Sequence, residues 1–436
     1  KGDMEVRIDA LITDSREKTS GGLFFCISGA RFDAHTFVGQ AEKNGCVAFV
    51  VERILDADVP QVKVENVRSA MAYIAAAFYG HPEKEIRMVG VCGTKGKTTT
   101  SYLMKAILEK AGFKTGLIGT TGNMIGEKRL HSNLTTPDPI DLHRCLRQMR
   151  DEGVEVVSME VSAHAVAMHR LDGVTFEAAC YTNLSQDHLD YFGTMENYFE
   201  TKKSFFMHGQ VLNAALNADD ETSDKIIKDI KVPYLTFGIS SDADVFARDI
   251  EISEDGVSFS ILLRGLEEMP VHMHLTGMFN VYNALAAASL AMILGIDQQA
   301  IREGLESVVN VPGRVEMLDT KTPYKVILDY SHSPDALENI LTTVRTFTAI
   351  SIYDNLTPGK TGITVRTANH ELARRIYVIN DTIIKQCQHI GMMNGSDHPG
   401  HQNLDYIFAD DRKHLLISLQ LSFHRIICRL YKVIML

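Results

Sequence analysis

Apolar residues run along this chain in two different rhythms. Over residues 1–85, short apolar runs alternate with loop signals. Leu23-Phe-Phe-Cys-Ile27 and Val47-Ala-Phe-Val-Val51 predict strands, and Ala70-Met-Ala-Tyr-Ile-Ala-Ala-Ala-Phe78 predicts a helix. Gly80-His81-Pro82 breaks that helix and marks a domain boundary. From Arg87 the rhythm becomes strand, glycine turn, helix. Arg87-Met-Val-Gly-Val-Cys92 reads as a buried strand. Thr98 to Ala111 then carries Leu103, Met104, Ile107, Leu108 and Ala111 on one helical stripe that ends at Gly112. Val154-Glu-Val-Val-Ser-Met159, Ala178-Ala-Cys-Tyr181 and Ala214-Ala-Leu216 predict further strands with helices between them, and this alternation implies a mostly parallel sheet. Residues 243–275 are more β-like, and Asn280 to Leu294 is an apolar helix. Tyr324-Lys-Val-Ile-Leu-Asp-Tyr330 starts another strand, with a helix from Pro334.

Composition narrows the class. A chain of 436 residues exceeds one ordinary core, so two or three domains are expected. A hydrophobic share of 45% with 23% charged residues is that of a soluble globular protein. The net charge of −11 argues against a nucleic-acid partner, since a phosphate backbone rewards clustered Lys and Arg, but it leaves room for a nucleotide in a locally positive pocket. Seven cysteines, scattered without metal-type pairs, suit reduced thiols and a cytoplasmic location. No apolar run reaches the ~18 residues that a bilayer span needs, and the first seven residues lack the apolar core of a signal peptide.

The strongest chemical signal is the turn Gly93-Thr94-Lys95-Gly96-Lys97-Thr98 between a strand and a helix. Such a turn presents backbone N–H groups and a helix N-terminus to phosphate oxygens. Lys97 supplies a point charge for the β- and γ-phosphates of ATP, and Thr98 a hydroxyl for Mg²⁺. The strict phosphate-loop pattern wants glycine where this chain has Val91. A second group, Met159-Glu160-Val-Ser162-Ala-His164, follows a strand of the same sheet, where parallel strands gather their ligands. Glu160 can hold Mg²⁺ beside Thr98, although a Glu after a strand more often starts a helix. The third group is Tyr181-Thr-Asn-Leu-Ser-Gln-Asp187-His188-Leu-Asp190-Tyr191. Its Asp/His density fits a metal or phosphate site, or capping by Asp187 and Asp190.

Taken with further segments, these residues make residues about 10–345 resemble the Mur ligases, in the branch that extends the peptide of a peptidoglycan precursor. The resemblance rests on Gly93–Thr99, Thr135-Thr136-Pro137, Glu160-Val-Ser162-Ala-His164 and Asn183-Leu-Ser-Gln-Asp-His188-Leu-Asp-Tyr-Phe-Gly193. Gly277-Met-Phe-Asn280-Val-Tyr-Asn283 and Pro312-Gly313-Arg314-Val-Glu316 complete it. It implies an α/β, three-domain architecture. A UDP-binding domain would occupy residues 1–85, a central ATP-binding parallel-sheet domain 86–318, and a Rossmann-like carboxy-terminal domain 319–436.

The activity implied is an ATP-dependent amide ligation. It would add the third amino acid, meso-diaminopimelate or L-lysine, to UDP-MurNAc-L-Ala-D-Glu through an acyl phosphate, with two Mg²⁺ ions and a monomeric enzyme. Catalytic roles fall to Lys97, His188 and Lys202. ATP contacts fall to Gly93, Thr94, Lys95, Gly96, Lys97, Thr98, Thr99, Asn280, Asn283, Arg314 and Asp329. Ser15, in Thr13-Asp14-Ser15-Arg16, matches a uridine contact, while Thr135, Thr136, Ser162 and Arg170 match contacts to the muramoyl-dipeptide; Met168 stands where many relatives have a polar residue. Thr98, Glu160, His188 and Lys202 would hold the metal ions, Lys202 as a CO₂-derived carbamate, which needs a neutral amine and is helped by burial.

After about Phe347 the resemblance stops. Residues 349–436 contain no Gly-Cys-Gly-Gly, no Asp-Asn-Pro-Arg and no Gly-His-Glu, the segments that the family uses in its last domain. They read as a divergent or frame-shifted replacement. A chain that binds UDP-MurNAc-peptide and ATP without ligating them is the competing expectation.

Overall fold

The computed structural model describes residues 2, 5–29, 32–130, 132, 134–240, 242–263, 267–318, 325–331, 339–340 and 342–343, with strands at 350–352, 363–367 and 376–379. The helix expected from Pro334 and most of the 349–436 tail lie outside the described residues. The described strands form three sheets.

The first sheet contains β1 (Ala10–Ile12), β2 (Gly22–Phe25), β3 (Cys46–Val51) and β4 (Gln61–Lys63), all parallel and in sequence order. Side chains alternate across a strand, and that alternation builds a two-sided core. Phe24, Cys26 and Phe49 pack on one face, while Leu23, Phe25 and Val50 pack on the other with Val67 and Met71. Helices α1 (Val38–Lys43) and α2 (Val67–Phe78) follow β2 and β4. Helix α2 starts three residues before the apolar stripe suggests. Asn66 caps it, its side-chain oxygen accepting the amides of Arg68 at 2.9 Å and Ser69 at 3.1 Å.

The second sheet is built on β5 (Arg87–Cys92), which leads into α3 (Lys97–Lys110). In chain order there follow β6 (Thr115–Ile118), β7 (Asn123–Ile125), β8 (Lys128–Leu130), α4 (Pro139–Asp151), β9 (Val156–Val161), α5 (Ala163–Ala167) and β10 (Ala178–Tyr181). Then come α6 (Leu189–Phe192), α7 (Met195–Met207), β11 (Ala214–Asn217), α8 (Ser223–Ile227), β12 (Tyr234–Gly238), β13 (Val245–Ser253), β14 (Gly256–Leu263) and β15 (Met269–Met273). The strand order is β15-β14-β13-β12-β11-β10-β5-β9-β6-β7-β8. The run from β12 to β6 is parallel, as the alternating pattern predicts, and β7 and β8 add an antiparallel edge. Its central strands β5, β9, β10 and β11 are buried on both faces, which explains their continuous apolar runs. Helix α9 (Met278–Ile293) is buried nearly all round and α10 (Gln298–Ser307) follows it. Among the described residues no helix is long and apolar enough to cross a membrane.

The third sheet has the order β16-β17-β20-β19-β18, from β16 (Glu316–Leu318), β17 (Lys325–Leu328), β18 (Ile350–Ile352), β19 (Ile363–Thr367) and β20 (Ile376–Ile379). Only β17 and β20 pair in parallel among its described ladders. The chain divides into two compact units. One holds residues 1–249, 259–271 and 280–307, the other residues 250–258, 272–279 and 308–436. The first two sheets begin in the former, and the third belongs to the latter.

Candidate active site

In the parallel sheet β10 lies on one side of β5 and β9 on the other, with β6 beyond β9. Parallel pairing brings the carboxyl ends of these four strands to one edge, where such sheets bind ligands. The last residues of these strands and the loops after them carry Gly93–Gly96, Glu160–Ser162, Thr182–His188 and Gly119–Thr121.

After Cys92 the chain turns through Gly93 (φ 146°) and Gly96 (φ 89°). A Cβ on Gly93 would collide with the Thr182 hydroxyl, and one on Gly96 with the Asn283 side chain, so neither site tolerates a side chain. Asn183 staples the turn: its side-chain oxygen accepts the Lys95 N–H and its carbonyl the Thr94 N–H, both at 2.9 Å. The Thr182 hydroxyl donates to the Lys95 carbonyl at 2.7 Å, and the Asn217 amide holds the Thr182 carbonyl at 2.7 Å. Lys97 Nζ folds back to donate to the carbonyls of Gly93 at 3.0 Å and Thr94 at 2.9 Å. Desolvation, and then the charge of Lys202, push the Lys97 pKa down.

Lys202 comes from α7 and meets the same carbonyl: its Nζ donates to Gly93 at 2.7 Å. It is 1% exposed, and its amine stands 4.5 Å from the centroid of the Tyr198 ring. Burial depresses its pKa as well, which favours the neutral amine. Lys203, by contrast, points outward to Asp229 at 2.5 Å. Two amines therefore converge on one backbone oxygen of the phosphate loop.

Glu160 is the penultimate residue of β9, with 2% of its surface exposed. Its carboxylate accepts the Thr98 hydroxyl at 3.1 Å, the Thr120 hydroxyl at 3.0 Å and the Thr120 N–H at 2.8 Å. Thr136 donates to the Glu160 carbonyl at 2.7 Å and accepts the Ser162 N–H at 3.1 Å, while Thr135 lies 3.0 Å from the Thr120 hydroxyl. Ser162 caps α5 by accepting the Ala165 N–H at 3.2 Å. The Arg170 guanidinium donates to the Thr136 carbonyl at 2.8 Å and pairs with Asp138 at 2.8 Å; the Met168 sulfur is 3.5 Å away.

His188 adopts a left-handed backbone (φ 54°), and its ring meets that of His164 edge-on at 4.7 Å between centroids. Desolvation lowers the pKa of both, opposed at His188 by Asp187. Asp187 accepts the His188 N–H at 3.0 Å and faces Lys95 Nζ at 3.5 Å. Among the described residues no three His, Cys, Asp or Glu side chains gather as a metal cluster. The Asp187–His188–Asp190 stretch is therefore not one by itself, because Asp187 turns to the phosphate loop.

Of the remaining expected residues, Thr99 is buried in the first turn of α3. Asn283 accepts the Thr100 hydroxyl at 3.3 Å and donates to Asn280 at 2.9 Å, which sets this pair against the phosphate loop. Arg314 and Asp329 both belong to the second unit. Asp329 accepts the Val315 N–H at 2.8 Å, and Arg314 stacks 5.0 Å over the ring of Tyr330. Ser15 lies beside the first sheet, its carbonyl accepting the Asn44 amide at 2.8 Å. Sequence reading gave no role to Thr120, Thr182, Asn183 or Asn217. Thr182 and Asn183 lie in the segment Tyr181–Tyr191 without a role of their own, while Thr120 and Asn217 carry no spacing signal.

The donor set can be tested against the metal that the resemblance implies. Thr98, in the first turn of α3, and Glu160, near the end of β9, offer buried oxygen ligands, which suits Mg²⁺. Lys202 suits a cation only after its amine becomes an anionic carbamate, because an ammonium repels one.

Models of known families match two segments of the chain: the Mur ligase middle domain over residues 91–291 and the Mur ligase family catalytic domain over residues 7–79. A UDP-N-acetylmuramoyl-L-alanyl-D-glutamate–2,6-diaminopimelate ligase of Geobacillus thermodenitrificans is 44% identical over 355 residues, covering 79% of this chain and 72% of that protein. The enzyme of the same name from Clostridium botulinum is 39% identical over 356 residues, with 79% and 73% covered. A solved structure of a ligase of that name superimposes with a TM-score of 0.68 at 28% identity, covering 78% of this chain and 71% of that one.

Proposed function

Because the chain belongs to the Mur ligase family, we propose that it joins 2,6-diaminopimelate to the D-Glu carboxylate of UDP-MurNAc-L-Ala-D-Glu in an ATP-driven step of peptidoglycan precursor synthesis. The observation that carries this reading is the convergence of Lys97 and Lys202 on the Gly93 carbonyl beside the Thr98–Glu160 pair. Three segments distant in sequence there supply a phosphate-binding turn that carries Lys97, the buried amine of Lys202 and a buried carboxylate.

The chemistry follows from charge. A carboxylate repels an incoming amine, so it must first become a better electrophile. The γ-phosphoryl group of ATP passes to a D-Glu carboxylate oxygen, giving an acyl phosphate and ADP. The amine of diaminopimelate then attacks the acyl carbon, and the tetrahedral intermediate collapses with loss of phosphate and a proton. Phosphoryl transfer is chiefly positioning and neutralisation of charge. Lys97 supplies that charge once phosphates displace the loop carbonyls that it now holds, and Gly93–Thr99 positions the phosphates. Thr98 and Glu160 would hold one Mg²⁺, and His188 with carbamylated Lys202 a second, which when bound neutralise phosphate charge. For the carbamate, the neutral Lys202 amine adds to the carbon of CO₂ and loses a proton to solvent.

Thr135, Thr136, Ser162 and Arg170 bind the muramoyl-dipeptide in this reading, and Ser15 the uridine. Asn280, Asn283, Arg314 and Asp329 keep the nucleotide roles that the resemblance gives them. The reaction belongs to a cytoplasmic monomer. Incubating the full chain with ATP, Mg²⁺, UDP-MurNAc-L-Ala-D-Glu and either diaminopimelate or L-lysine tests it. The expected result is a tripeptide product by mass spectrometry, formed with diaminopimelate and matched by ADP. ADP release without product would instead identify a binding protein that has lost ligation.

A further inference from the structure

We propose that Thr120, in the loop after β6, is a positioning residue that aims the Glu160 carboxylate and links it through the Thr135 hydroxyl to the substrate side of the centre. The proposal rests on the ligase reading above for what the two sides bind. Its basis is how Glu160 is held. Terminal carboxylate torsions are broad, so a single donor leaves the plane of the group loose. Thr98 contacts one oxygen, Oε2, at 3.1 Å. Thr120 contacts both: its N–H reaches Oε1 at 2.8 Å and its hydroxyl reaches Oε2 at 3.0 Å. This fork fixes the plane. The preceding residue is packed directly on the group, since a Cβ on Gly119 would lie 2.9 Å from Glu160 Cδ.

The hydroxyls also have a direction. A threonine hydroxyl has one proton, and a carboxylate only accepts. Thr120 commits its proton to Glu160, so Thr135, 3.0 Å from the Thr120 oxygen, must donate to it. The chain thus runs one way, from Thr135 to Thr120 to Glu160. A ligand that recruits the Thr135 proton withdraws a donor from Thr120 and alters how Thr120 holds the carboxylate. Binding of the UDP-MurNAc-dipeptide and of the magnesium nucleotide are then coupled, and reciprocally so.

Calorimetry on the full chain tests this without turnover. A non-hydrolysable ATP analogue is titrated across a series of Mg²⁺ concentrations, with and without UDP-MurNAc-L-Ala-D-Glu. Thr120→Val and Thr120→Ala should raise the Mg²⁺ concentration for half-maximal nucleotide affinity by about 10–100-fold and abolish the effect of the dipeptide. Thr120→Ser should restore both. Thr120 is exposed, so thermal melts should stay level, and two hydroxyl deletions guard against one that misfolds. Unchanged Mg²⁺ dependence in both deletions, or a Ser variant as defective as Val, would overturn the positioning role. A wild-type nucleotide affinity indifferent to the dipeptide would remove the link to Thr135. A wild-type chain that ligates nothing, yet shows the shifts, would sink the ligase reading and leave the positioning role standing.

Discussion

The phosphate-loop edge of the second sheet and the Asp14–Arg16 turn of the first differ in how they are held. At the loop the contacts join remote segments: Thr98 to Glu160, Gly93 to Lys202, Thr100 to Asn283. The groups are largely buried, and each bond fixes a residue that another bond also fixes. In the turn, Asp14 pairs with Arg16 two residues away at 2.6 Å, and both side chains are largely in water. The Arg16 hydrogen bonds hold the Asp14 carboxyl down to about 2, but an exposed pair of this kind adds little to stability. One site is preorganised by tertiary structure and the other is a local conformation. Substitutions that alter the backbone of the first should disturb fold and chemistry together, whereas substitutions in the second should disturb binding alone.

The largest expected effect removes charge at the loop without altering its backbone. Lys97→Met should lower kcat for ADP formation by about 10²–10³-fold, with a melting temperature equal to or above that of the parent, since a half-buried, partly desolvated amine is lost. A small kcat effect would show that Lys97 remains on the loop carbonyls during turnover. Gly93→Ala comes next and tests preorganisation directly. The added methyl collides with Thr182 in a backbone region that L-residues avoid, so denaturant unfolding should show a loss of about 2–4 kcal/mol. Retained stability would mean that the turn adapts as easily as the Asp14 turn.

A third experiment uses pH. The Lys202 pKa lies below its ordinary value near 10.5 because burial disfavours the charge. Between the depressed folded value and 10.5 the unfolded chain binds a proton that the folded chain does not. Stability should therefore rise with pH through that window, by at most about 1.4 kcal/mol per pH unit for one proton, and level off above it. Lys202→Met should flatten the curve; Lys97, depressed for the same first reason, supplies what remains. Lys203 is half-buried and its pKa is raised by its hydrogen bond to Asp229, so replacing it should leave the curve below 10.5 unchanged.

The same contrast explains what could be read from the sequence. Apolar runs gave the strand at Ala178–Tyr181 and the strand–turn–helix from Arg87, because a buried strand and an amphipathic helix write their periods into adjacent residues. The short strands β6 to β8 left no such mark in a few residues each. Lys97, Glu160, His188 and Lys202 were legible as motifs or through resemblance. Thr120 and Thr182 were not, since a loop hydroxyl acquires its role only from the strand order that seats it beside Glu160 or Gly93. The start of α2 was missed because Asn66, a cap, precedes the apolar stripe.

The smallest expected effect belongs to the exposed turn, and it completes the comparison. Ser15 contributes its carbonyl to Asn44, a bond that Ser15→Ala retains. The substitution removes only the hydroxyl that the uridine reading assigns to substrate. One neutral hydrogen bond is worth about 0.5–1.5 kcal/mol, so KM for UDP-MurNAc-L-Ala-D-Glu should rise about 2–10-fold while kcat and the melting temperature stay level. A fall in melting temperature would show that this turn, like the phosphate loop, is tied into the core. An unchanged KM would place the uridine elsewhere.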